Sequence, residues 1–178
     1  MVGNDLFPEL FIGRLSFDSQ SHLQTIISKT LNYESNPYMG ENWFKRAALI
    51  GDPATSGVSC IITNDNIKEV LQLHGYEDIR TVYGGDFPSQ MTSNLSDGLG
   101  FFNYRGFYGV SGYTSADVGS ANNGFMLPIA TVITCGTGSF VSEESISEIS
   151  KKYPSANQSA IAVLDLNGGV MPMVGAND

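Results

Sequence analysis

Charge is scarce in this chain. Of 178 residues only 9 are basic and 18 acidic, 15% in all, against about 25% in ordinary globular proteins. Disorder by charge excess is thereby excluded, and ten Phe point instead to a buried core. Basic residues are the scarcer sign. The net charge of −9 repels phosphate, which argues against a nucleic-acid or anionic-membrane partner. Two cysteines, Cys60 and Cys135, make no disulfide framework and no C-x-x-C pair. Two histidines, His22 and His74, are too few and too far apart for a zinc site, and they are the only imidazoles that could serve a nucleophile. No apolar run approaches the roughly 20 residues of a membrane span. The opening Met1 to Asp5 lacks the basic start and apolar stretch of a signal peptide.

What is present suits one domain with a proper core. Asp18 or Ser19 caps a predicted helix with Leu23, Ile26, Ile27, Thr30 and Leu31 at helical spacing, closed by Asn36-Pro37. Trp43 to Arg46 leads into a predicted strand, Ala47 to Ile50, bounded by Gly51-Asp52-Pro53. The next predicted helix runs from Asp65 to His74, with Ile67, Val70 and Leu71 inward and Gly75 as its stop. Ile79 to Tyr83 reads as a strand, Ser89 to Ser96 as a weak helix and Phe101 to Tyr104 as a strand. A Gly-, Ser- and Asn-rich loop then extends to Asn123. Ile129 to Thr134 reads as a strand covered on both faces. A helix from Ser142 or Glu143 to Ile149 and a strand from Ala160 to Leu166 complete the pattern. The alternation predicts an α/β fold: a mostly parallel sheet with helices on both faces.

In such sheets ligands gather at the carboxyl ends of the strands. Two segments place unusual residues there: Phe102-Asn103-Tyr104-Arg105-Gly106-Phe107-Tyr108-Gly109, and Val132 to Phe140, where a strand delivers Cys135 into a glycine-rich turn. Amides of that turn, Gly136 first, are positioned to stabilise an oxyanion or lower the thiol pKa. The competing reading is that Cys135 is a small packed residue, and Cys60, among Val58, Ile61 and Ile62, reads as packing outright. His74 suits a helix C-terminus and His22 a solvated first turn.

These residues carry a family resemblance. Phe7-Pro8-Glu9-Leu10-Phe11-Ile12-Gly13-Arg14-Leu15-Ser16 resembles the segment that opens the second part of gingipain-type cysteine peptidase catalytic domains. Tyr33 to Pro37, Trp43 with Arg46, Asn66 and Gly75-Tyr76 continue the pattern. Asn103-Tyr104-x-Gly106 resembles the family's Asn-Tyr-x-Gly-His-Gly strand end, and Thr134-Cys135-x-x-Gly138-x-Phe140 its nucleophile turn. The resemblance covers residues 1–149; residues 150–178 depart from it, as one added strand plus a tail. It implies a caspase-like domain with a Cys–His dyad, secreted or on the cell surface, acting on peptide or protein substrates. Cys135 then matches the nucleophile. Phe107, followed by Tyr108, stands at the histidine position and cannot act as a base. Asp52 falls near the acidic residue that orients the histidine, and Ile61 near the residue that confers Arg preference in some relatives. No cofactor is expected. Calcium suits an acidic extracellular domain, but no Asp-x-Asp-x-Asp-Gly loop is present. Three readings stay open: a cysteine endopeptidase, an inactive pseudopeptidase kept as a binding or structural module, and a portion of a larger domain. Oligomeric state is not legible.

Overall fold

The computed structural model describes Phe17, residues 19–137 and residues 162–165. Five strands form one sheet in the order β2-β1-β3-β4-β5, every adjacent pair parallel. They are β1 (Arg46–Gly51), β2 (Asp78–Val82), β3 (Phe101–Tyr108), β4 (Ile129–Cys135) and β5 (Ala162–Asp165). The expected α/β class with helices on both faces is what the chain adopts.

Strand β1 lies inside the sheet, between β2 and β3, and its Ala-Ala-Leu-Ile run is buried throughout. Side chains alternate along it. Ala48 and Ile50 join the main core, which includes Met91 and Leu95 of α4 (Phe87–Ser96) and Val118 of α5 (Ser115–Ser120). Leu49 and Gly51 fall on the opposite face, packed by α3 (Ser59–Leu73). The chain steps one way across the sheet with α3 and the other way with α4 and α5, as crossovers of one handedness require.

Several expectations need correction. Helix α3 begins at Ser59 rather than Asp65, and it buries Cys60 and Asn64, one turn apart, while Val70 is exposed. Its β-branched start conceals the helix because Ile and Thr lower propensity, but packing on the sheet overrides that preference. Helix α1 (Gln20–Ser35) is capped by Ser19, whose hydroxyl accepts from the His22 N–H, and ends at Asn36. It buries Ile26 and Lys29 and leaves Ile27 and Leu31 exposed. Burial pulls the Lys29 ammonium pKa down to about 8. The loop before Asn123 contains α5, nucleated by Thr114 and Asp117, which satisfy each other in a capping box. Strand β4 is buried less evenly than expected: Ala130, Val132 and Thr134 are buried, whereas Ile129 is 46% exposed and Thr131 and Ile133 are half-buried. Strand β3 continues four residues past Tyr104. The helix expected from Ser142 or Glu143 to Ile149 lies outside the described residues.

Candidate active site

Strands β3 and β4 deliver the two unusual segments to the same carboxyl edge as neighbours. Arg105 pairs with Ile133, and the next pair is Tyr108 with Cys135. Strand β3 thus takes three steps where β4 takes two, a β-bulge at Gly106 and Phe107. Beyond it, the Gly109 N–H donates to the Cys135 carbonyl at 2.9 Å. The peptide that follows is trans, so the Gly136 N–H points away from β3. Gly136 has φ +85°, and a Cβ there would stand 3.0 Å from the Tyr108 ring. A larger residue at 136 would therefore lose both its backbone conformation and its space.

Cys135 is a free, half-buried thiol. Around it the edge is aromatic and exposed: Phe107 is 64% and Tyr108 75% accessible. Phe107, expected from the resemblance at the histidine position, is thus not the residue paired with Cys135; that is Tyr108. His74 is the C-cap of α3 and leads into the start of β2. It belongs to the amino edge, about 15–20 Å from the carboxyl edge given the strand rise. His22 lies in the first turn of α1. Cys60 is buried, its thiol donating to the Gly57 carbonyl at 3.1 Å, as a packing residue would.

Asp52 follows β1 on the same edge, and its bonds run to β3 and its loop. Its N–H donates to the Arg105 carbonyl at 3.3 Å. Its Oδ1 accepts from the Ala54 N–H at 3.1 Å, and its Oδ2 from the Ser111 hydroxyl at 2.6 Å. Ser111 Oγ in turn lies 2.8 Å from the Tyr104 hydroxyl. Burial raises the Tyr104 pKa, so at neutral pH this phenol is a donor. Gly106 is required here sterically, because any Cβ would run into the tip of Tyr104. The sequence marks Tyr104 only as a letter of the Asn103-Tyr104-x-Gly106 motif and gives Ser111 no mark at all. The motif glycine was legible, but its reason, the room it leaves for a phenol, was not.

Behind this edge a buried polar line crosses the sheet on the α3 face. Asn103 donates to Asn64 Oδ1 at 2.7 Å and accepts from Thr131. Ile61, on α3, is half-buried and apolar, so it supplies no countercharge for a basic substrate side chain. Among the described residues no three of His, Cys, Asp and Glu stand close enough to hold a metal ion. No described helix is long and apolar enough to cross a membrane.

Comparison with known proteins agrees with this arrangement. The model of peptidase family C25 matches residues 1–176. Gingipain R2 of Porphyromonas gingivalis is 31% identical over 152 residues, covering 79% of this chain and 21% of that protein. Lys-gingipain of the same species is 33% identical over 112 residues, 58% of this chain and 6% of that protein. The crystal structure of the Arg-specific cysteine proteinase gingipain R superposes with a TM-score of 0.79 at 27% identity, over 91% of this chain and 41% of that one. The chain thus spans only a minor share of each relative.

Proposed function

This chain belongs to peptidase family C25, and on that premise we propose that it is a pseudopeptidase, a gingipain-like module that binds peptide at the carboxyl edge of its sheet without a working Cys–His dyad. One observation carries the reading. Phe107 stands where the resemblance expects the base, and Phe107 and Tyr108 form an exposed aromatic pair on the strand that pairs with that of Cys135. A thiol without a base is only a few per cent thiolate at neutral pH. Loss of one member of a catalytic unit removes most of its rate. Exposed aromatics are, in contrast, the side chains that anchor peptide interfaces. A site outside the cell or on its surface, with peptide or protein as ligand, belongs to this reading and is supported by the family membership.

The endopeptidase reading is favoured by one feature, the half-buried Cys135 at the carboxyl edge with its carbonyl fixed by Gly109. A mixed peptide library separates the two. The proposal expects retention of peptides by the immobilised chain, weakened at least tenfold when Phe107 and Tyr108 are both changed to Ala, and no cleavage products. Cleavage that disappears in Cys135→Ala would overturn it.

A further inference from the structure

A hydroxyl–carboxylate pair that does not involve Cys135 stands on the same edge. Ser111 is one of two described non-glycine residues with positive φ, at +45°. It sits in Gly109-Val110-Ser111-Gly112, directly after β3 and before α5. L-residues adopt this backbone region at a cost, and such outliers concentrate at active sites. Its hydroxyl donates to the buried carboxylate of Asp52 at 2.6 Å, within the reach that pairs a nucleophile with its base. That base is itself held by a third group, the Ala54 N–H on its other oxygen. Ser111 is half-buried and is followed by the exposed Gly112.

We propose that Ser111 and Asp52 form a serine–carboxylate dyad that transfers the acyl group of uncharged carboxylic esters to water. Ser111 Oγ attacks the ester carbonyl carbon while its proton passes to Asp52 Oδ2, giving a tetrahedral oxyanion. Collapse breaks the bond to the alcohol oxygen, which takes the proton from Asp52 and leaves an acyl-serine. Water then attacks the acyl carbon, gives a proton to Asp52 and restores the serine hydroxyl as the acid departs. Tyr104, donating to Ser111 Oγ, fixes which lone pair of that oxygen faces the substrate. Esters are preferred over amides because a carboxylate is a weaker base than imidazole, and the acid it becomes must serve a leaving group that departs readily. The surplus of negative charge favours a neutral ester over an anionic one.

The test uses a fluorophosphonate probe on the intact chain, with peptide mapping of the modified residue, and p-nitrophenyl acetate hydrolysis as a second readout. Modification is expected at Ser111, undiminished in Cys135→Ala and slowed about 100-fold in Asp52→Asn, the share a positioned base supplies. Mapping of the unsubstituted chain stands even if Asp52→Asn fails to fold. No label at Ser111, or the same labelling rate in a folded Asp52→Asn variant, overturns the dyad. Peptide retention through Phe107 and Tyr108 is unaffected by either result, so the two proposals fail separately.

Discussion

On the α4–α5 face of the sheet, Ala48, Ile50, Phe102, Tyr104, Ala130 and Val132 meet Met91, Leu95 and Val118 in one apolar cluster. On the α3 face, corresponding positions of the neighbouring strands are Leu49, Asn103 and Thr131, and the two polar ones hydrogen-bond to each other. The first face supplies stability by area removed from water, which is indifferent to orientation. The second holds directional groups whose worth depends on every partner being present. Even so, Asn64 Nδ2 is left without a partner among the described residues. One face can therefore be repacked by volume, and the other tolerates change only in concert.

The sharpest way to break this division is Met91→Ala, at a fully buried position. It is expected to lower unfolding free energy by about 3 kcal/mol, the central value for emptying such a site, as read by urea denaturation. On the other face, Asn103→Ala removes a smaller group but orphans both Asn64 Oδ1 and the Thr131 hydroxyl. A loss of about 2 kcal/mol is expected, and changing Asn64 and Asn103 together to Leu should cost less than the sum of the single changes. Additive losses would remove the argument for concert.

Alkaline pH offers a gentler probe with one tyrosine for each face. Burial pushes Tyr113, in the apolar cluster, up to about 12. Tyr83, whose hydroxyl donates to Asp65 of α3, is also pushed up to about 12, by burial first and then by that carboxylate. Both folded values exceed the unfolded value near 10. Their contribution is therefore complete below about pH 10 and is lost as pH rises toward 12. Denaturation midpoints should fall across that window, and less steeply in Tyr113→Phe. An unchanged slope would count against burial as the cause.

Smaller still is Cys135→Ala, expected to cost about 1 kcal/mol or less since little volume is lost from a half-buried position. Its reactivity is the finer measure. With Cys60 changed to Ser, iodoacetamide labelling of Cys135 at neutral pH should accelerate in Tyr108→His or Phe107→His, through an imidazolium beside the thiolate. The register favours the first, and a larger gain at 107 would show that the bulge relaxes in solution. The smallest effect is expected at Ile129→Ser, at the exposed start of β4, within about 0.5 kcal/mol.

The order of strands and helices was legible because β1, β2 and β4 are dense in apolar and β-branched residues and are bounded by Gly, Asp or Pro. Where packing or capping outweighs composition, legibility fails. Ser115–Ser120 has low helix propensity, and only the Thr114–Asp117 pairing marks it. The start of α3 before Asp65 carries no helical signal of its own, and the packing of Cys60 and Asn64 beneath Gly51 is what extends the helix to Ser59. At the candidate site Cys135 was visible as a motif letter, as was Phe107 where the resemblance expects a base. The Asp52–Ser111–Tyr104 chain was not, since it joins residues 59 and 7 positions apart through side-chain tips that no periodicity encodes.

The bulge in β3 decides by residue count, not residue type, which side chain falls opposite Cys135. Remove one residue from Gly106-Phe107 and three steps become two: the ladder turns regular, Tyr108 stays opposite Cys135 and Gly109 keeps the carbonyl it now holds. A ladder drawn regular with no residue removed would instead bring Phe107 opposite Cys135. The residue expected at the base position and the residue paired with Cys135 stand, in this chain, in two different places.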